Sequence, residues 1–215
     1  MNNCYLDAEA VITFFRMTGR KHIFITGSRG SGKSHLVNNM LKHMSDSFNL
    51  LQSHRTDTPQ VVIKSNLVAD NKEFVIGVPR TSGINPASKG NNMTIIEDGF
   101  INCAIPAIDT HLDTTPERLF VIDELGYLES SCIPFQKAVE KLLDNSHVLA
   151  VIRKQSTEFL NRIYNRKDVL VIDIDSTFET LSCIIMASGM SKRFGANKLI
   201  TDFNGRSLFE NAVSI

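Results

Sequence analysis

The chain has 215 residues, 23 Lys+Arg against 23 Asp+Glu, 42% hydrophobic and 21% charged. That length allows one good-sized domain plus an appendage, with a real core. The zero formal net charge gives no hint of a nucleic-acid or membrane-surface partner, no apolar run is long enough to span a bilayer, and Met1–Asp7 lacks a basic leader region, so a cytoplasmic protein is expected.

Leu6 to Thr18 carries apolar groups at helical spacing, and Gly19 offers a stop. A strand over Lys21–Thr26 follows. The next residues, Gly27-Ser28-Arg29-Gly30-Ser31-Gly32-Lys33-Ser34, fit the pattern G-x-x-x-x-G-K-[ST] at every fixed position. Gly27, Gly30 and Gly32 let the backbone approach a phosphate closely. Their amides form an anion-binding nest, and the helix beginning near Lys33 adds the positive end of its dipole. Lys33 is expected to reach the β- and γ-phosphates of a nucleoside triphosphate, and the Ser34 hydroxyl to take one position on Mg²⁺. His35 follows directly and is counted with the nucleotide-binding stretch. It reads more simply as a helix residue than as a catalyst. The helix is expected to run to about Asp46, burying Leu36, Val37, Met40, Leu41 and Met44.

Val61–Ile63 and Phe74–Val78 read as strands, and Asp70-Asn71 between them suggests a hairpin. Arg80–Asn92 is rich in Gly, Ser, Asn and Pro and reads as a mobile loop, either a substrate lid or a plain surface excursion. Met93–Ile96 suits a short strand. Phe100–Leu112 reads as a helix bent at Pro106.

Leu119-Phe120-Val121-Ile122-Asp123-Glu124 is a continuous apolar run ending in two carboxylates. It suits a parallel strand buried on both faces. Ligands bind at the carboxyl ends of such strands. Asp123 is therefore expected to hold Mg²⁺, directly or through water, and Glu124 to orient and activate an attacking water. A helix over Phe135–Leu143, a strand over Val148–Ile152, a helix over Glu158–Tyr164 and a strand over Val169–Ile172 complete the pattern. The order implies an α/β fold, a wound and mostly parallel sheet flanked by helices. The right-handed crossover rule brings Gly27–Ser34 and Asp123–Glu124 to one edge. Arg29, Arg153 and Arg166 are candidates for a cation that stabilises charge on the transferring phosphoryl group. The four cysteines are far apart and form no C-x-x-C pair, so buried or incidental thiols are expected.

From Gly27 to Asp175 the chain resembles the small P-loop nucleoside-triphosphatases of the THEP type, also called cancer-related nucleoside-triphosphatases. The resemblance rests on Gly27–Ser34, on Val121-Ile122-Asp123-Glu124-Leu125-Gly126-Tyr127-Leu128-Glu129, and on Asn165-Arg166-Lys167-Asp168-Val169. It implies Mg²⁺-dependent hydrolysis of nucleoside triphosphates with broad base tolerance and water as acceptor. The family's G-F-x-T-x-E-V-R segment is not evident between Gln52 and Pro79, and Val62-Ile63-Lys64-Ser65-Asn66 takes its place only loosely.

The tail differs. Cys183–Ile200 resembles the opening of a molybdenum-cofactor nucleotidylyltransferase of the MobA-like NTP transferases, with Gly189, Ser191, Arg193 and Lys198 on that family's phosphate loop. Only the first unit of such a domain is present. The expected organisation is a P-loop domain over 1–178 and a truncated, incomplete Rossmann-like transferase start over 179–215. The chain then reads as an N-terminal piece of a longer fusion or a truncated product, with self-association through the truncated unit as one expectation. A link to molybdenum-cofactor maturation follows by analogy. Two rivals stay open at this point, a nucleotide or small-molecule kinase and a non-hydrolysing nucleotide-dependent adaptor for the fused transferase.

Overall fold

The computed structural model describes residues 7–44, 47–68, 70, 72–80, 93–175, 202–203 and 205–207. The chain divides into two compact units, Met1–Phe178 and Glu179–Ile215. In the second, the described residues form one antiparallel pair, β9 (Asp202–Phe203) with β10 (Arg206–Ser207), turning at Gly205 with φ 82°. Gly189, Ser191, Arg193 and Lys198 lie outside the described residues, as do residues 81–92 of the expected loop.

The first unit is built on one eight-stranded sheet, order β5-β4-β3-β2-β6-β7-β1-β8. Five strands run parallel: β2 (Phe48–Arg55), β6 (Leu119–Leu125), β7 (His147–Arg153), β1 (His22–Gly27) and β8 (Val169–Asp173). The other three, β3 (Val61–Ser65), β4 (Phe74–Pro79) and β5 (Met93–Ile95), extend β2 as an antiparallel meander. The β3–β4 hairpin agrees with the sequence pattern, and Asp70 sits between its strands at φ 62°. β2 is a correction. The sequence pattern announces no strand over 48–55, where only Phe48, Leu50 and Leu51 are apolar. Its place is secured by the ladder to β6, in which Leu51 faces Ile122 and Gln52 faces Asp123.

Alternation along the central strands sends side chains to two cores. On one face Ile23, Ile25, Val121, Leu149 and Val151 pack with α1 (Ala8–Thr18) and α2 (Lys33–Met44). On the other, Phe24, Phe120, Ile122 and Ala150 pack with α4 (Ile105–Thr114), α5 (Ile133–Asn145) and α6 (Glu158–Tyr164). α1 begins where the Asp7 carboxylate accepts from the Ala10 amide at 3.0 Å, and it ends at Gly19 in the left-handed region. The helix around Pro106 starts with α3 (Glu97–Gly99) and a π turn over Phe100–Ala104, then continues as α4 with Pro106 in its first turn. The wider turn lets the chain enter α4 where proline's missing N–H has least effect. Cys103 and Cys132 are buried free thiols, and burial pushes Cys103 up to about 11. Among the described residues no helix is long and apolar enough to cross a membrane.

Candidate active site

β1 is buried along its whole length and ends in Gly27. The loop then climbs to α2 through Gly30 at φ 77° and Gly32 at φ 94°. Those angles suit glycine alone. A Cβ on Gly27 would lie 2.8 Å from Ser31 Oγ, so that turn also excludes a side chain. Lys33 folds back over the loop. Its Nζ donates to Gly27 O at 2.9 Å and Ser28 O at 2.7 Å, and the residue is only 9% exposed. The first turn of α2 leaves the N–H groups of Gly32, Lys33 and Ser34 without intrahelical acceptors. Asp175, after β8, accepts from the Ser28 amide at 2.7 Å and pairs with Lys154 at 3.2 Å. Arg29 is exposed, and His35 sits on the exposed side of α2 with Nε2 3.0 Å from Asn39 Nδ2.

The acidic pair stands beside this loop. β7 lies between β1 and β6, yet Asp123 lines one cavity with Ser34 and Gln52 and lies within electrostatic reach of Lys33. Burial pushes the Asp123 carboxyl up, and the neighbouring Glu124 adds to this, against the opposing pull of Gln52, Ser34 and Lys33. Such a carboxylate lacks a full countercharge. One half-buried carboxylate and one hydroxyl are the hard oxygen donors that Mg²⁺ takes from protein when phosphates and waters supply the rest. The residues present therefore fit the metal.

The β6–β7 register shifts between Asp123 and Leu125, which leaves Glu124 outside the ladder. Its side chain meets the guanidinium of Arg153, the last residue of β7. Arg153 is also the register partner of Gly27 on β1. One cation thus stands between the phosphate loop and the proposed water-activating carboxylate. Next to it lies Glu129, 5% exposed, whose Oε2 accepts from Gly126 N at 2.9 Å and whose Oε1 is 3.4 Å from Ser53 Oγ. Burial is the main reason its carboxyl is pushed up to about 7, with Glu124 adding to it. These groups line a cavity of about 400 Å³ that runs from Ser34 and Asp123 to Arg55 and Met93.

A family model described as NTPase matches residues 22–179. The chain belongs to this NTPase family. Nucleoside-triphosphatase THEP1 of Thermotoga sp. (strain RQ2) is 26% identical over 155 residues, covering 71% of this chain and 86% of that protein. The Thermotoga maritima protein of the same name is 23% identical over 154 residues, with 71% and 86% covered. Two solved structures share the fold. The crystal structure of THEP1 from the hyperthermophile Aquifex aeolicus superposes with TM-score 0.57 at 17% identity, over 73% of this chain and 92% of that one. The solution structure of a human cancer-related nucleoside triphosphatase gives 0.53 at 20% identity, over 71% and 88%. As a member of the NTPase family the protein is a hydrolase of nucleoside triphosphates.

In this NTPase, Arg166 does not join the other expected site residues. It precedes β8, whose first residue Val169 pairs with His22 at the start of β1, so it lies at the sheet edge opposite the phosphate loop. It is held there by Asp144 at 2.9 Å and Asp168 at 2.8 Å. The hydrogen bond from Arg166 is the largest cause holding Asp168 down at about 2. The expectation that Arg166 stabilises phosphoryl charge is thereby corrected: a residue before a parallel strand belongs to the far edge. Sequence reasoning gave no role to Gln52, Ser53 or Glu129. Glu129 had a signal, since it closes the motif that begins at Asp123. Gln52 and Ser53 had none, because β2 itself went unread.

Proposed function

We propose that the protein hydrolyses nucleoside 5′-triphosphates to diphosphate and phosphate in a Mg²⁺-dependent reaction at this edge of the sheet. The observation that carries the reading is that Asp123 and Ser34, one residue beyond Lys33, line the same cavity. Ser34 and Asp123 would hold the metal, which would neutralise charge that develops on the phosphates. The loop amides and Lys33 bind the same two phosphates, Lys33 exchanging its bonds to Gly27 O and Ser28 O for phosphate oxygens. Glu124 orients a water in line with the γ-phosphorus and takes its proton as the new O–P bond forms and the β–γ bridge breaks. Arg153 moves from Glu124 toward the γ-phosphate, which frees the carboxylate for that water and places positive charge on the transferring group.

The experiment is a phosphate-release screen over the nucleoside triphosphates with Mg²⁺, run on the wild type and on Glu124→Gln. The variant is expected to bind nucleotide and to lose turnover. Undiminished release by Glu124→Gln removes Glu124 from the role, and release that continues in excess chelator removes the metal.

We also place a domain boundary near residue 178 and link the tail to molybdenum-cofactor maturation, on the strength of the Gly189–Lys198 motif. Titrating molybdopterin into the NTP-bound protein tests the link. Absence of binding removes it.

A further inference from the structure

In the proposed reaction the γ-phosphate, the metal and one attacking water would occupy the end of the site lined by Ser34, Asp123, Glu124 and Arg153. The cavity holds about 400 Å³, within the range of small-molecule sites. Its lining includes Ser34 and Asp123 but neither Lys33 nor the loop glycines. The excess space therefore lies past the metal-binding end of the cradle, over the antiparallel half of the sheet.

Strand register gives the length of that space. Gln52 faces Asp123, and the β2–β6 ladder stops there. β2 continues to Arg55, held only by its pairing with Val61 on β3. Three further residues carry Arg55 about 10 Å beyond the level of Asp123. Among the described residues Arg55 has no ion-pair partner, whereas its neighbour His54 is 3.3 Å from Glu73. The guanidinium is thus a cation at the far rim of the cavity.

Between the two ends the surface is mixed. Glu129 offers a buried carboxylate that spends its capacity on Gly126 N and a long contact to Ser53 Oγ. A carboxylate has about four acceptor sites, so further donors can be received. Val61, Met93 and Leu128 form an apolar wall. Leu128 and Met93 are both set against Gly77, whose lack of a side chain lets them pack close to β4.

We infer that this cavity is a second subsite, beside the γ-phosphate, for a hydroxylated small molecule that carries a phosphate or a carboxylate. Its hydroxyls donate to the Glu129 carboxylate and Ser53, its carbon skeleton lies on Met93 and Leu128, and its anionic group takes the Arg55 fork. A planar five-donor guanidinium suits either anion in a bidentate manner. The inference rests on the placement of the γ-phosphate given under Proposed function.

The test uses the full chain saturated with Mg²⁺ and a non-hydrolysable triphosphate analogue, which fills the phosphate cradle. Ribose 5-phosphate and gluconate are then titrated by calorimetry as a phosphate and a carboxylate probe. At least one is expected to bind. Arg55→Ala is expected to weaken it about tenfold or more, with partial recovery in Arg55→Lys. The stronger probe identifies the anion class. Binding of neither probe, or equal binding by wild type and both Arg55 variants, overturns the subsite. If the analogue itself fails to bind the wild type, the proposed function falls, and the probes are then read on the nucleotide-free protein by the same criteria.

Discussion

Arg153 and Glu124 form an ion pair across the β6–β7 boundary, with Glu124 23% and Arg153 53% exposed. Neither is deeply buried, so the pair contributes little to stability. Its consequence is positional. In the proposed reaction, Glu124 is held away from its water until Arg153 finds a stronger anion, which a γ-phosphate beside Gly27 would supply. Arg153→Ala is expected to lower kcat by about 10³-fold with a much smaller change in KM. Arg153→Lys keeps the charge and loses the fork, so it should fall between. Steady-state phosphate release on the three proteins checks the order.

Lys33 donates to two carbonyls of its own loop, Gly27 O and Ser28 O. In the proposed reaction those bonds are exchanged for bonds to phosphate oxygens. Lys33→Ala should therefore weaken triphosphate binding by about 10²-fold or more, since a charge-assisted bond contributes about 1.5–3 kcal/mol and at least one is lost to each of two phosphates. Diphosphate affinity should fall less. Calorimetry with ATP and ADP separates the two.

Arg166 ties α5 to the turn before β8 through Asp144 and Asp168. Its distance from the phosphate loop makes it a test of the edge assignment. Arg166→Ala is expected to destabilise the fold by about 1 kcal/mol, a value kept small by solvent screening of the two partners. Turnover per folded molecule should stay at the wild-type level. Urea denaturation and phosphate release measured together would expose a catalytic role if turnover collapsed while stability held.

What could be read from sequence follows from how narrowly each segment is constrained. The phosphate loop is legible because backbone approach to an anion demands glycine at 27, 30 and 32 and a lysine at 33. β6 is legible because burial on both faces forces an unbroken apolar run from Leu119 to Ile122. β2 is different. Its second half, Gln52-Ser53-His54-Arg55, is polar because it faces the cavity, and the same polarity hides the strand. Arg166 was misplaced because charge type does not reveal which end of a parallel strand a residue occupies. The burial of Glu129 depends on a turn folding back under Ser53 and Gly126, which no local pattern encodes.

Glu129 supplies a pH signature. Its carboxyl titrates near pH 7 in the folded protein, against an ordinary value of 4.5, chiefly because burial disfavours the charged form. The folded state thus holds the proton more tightly than the unfolded chain does. Stability linked to this group is fully present below about pH 4.5 and is lost as pH rises through about 7. The span corresponds to about 3 kcal/mol at most. Glu129→Gln stays neutral, and its amide can still accept from Gly126 N and donate to Ser53. The variant is therefore expected to match the wild type near pH 5 and to exceed it in stability near pH 8. Urea midpoints across that range measure the difference. Parallel curves for the two proteins would mean that Glu129 is ionised throughout, held so by Arg153.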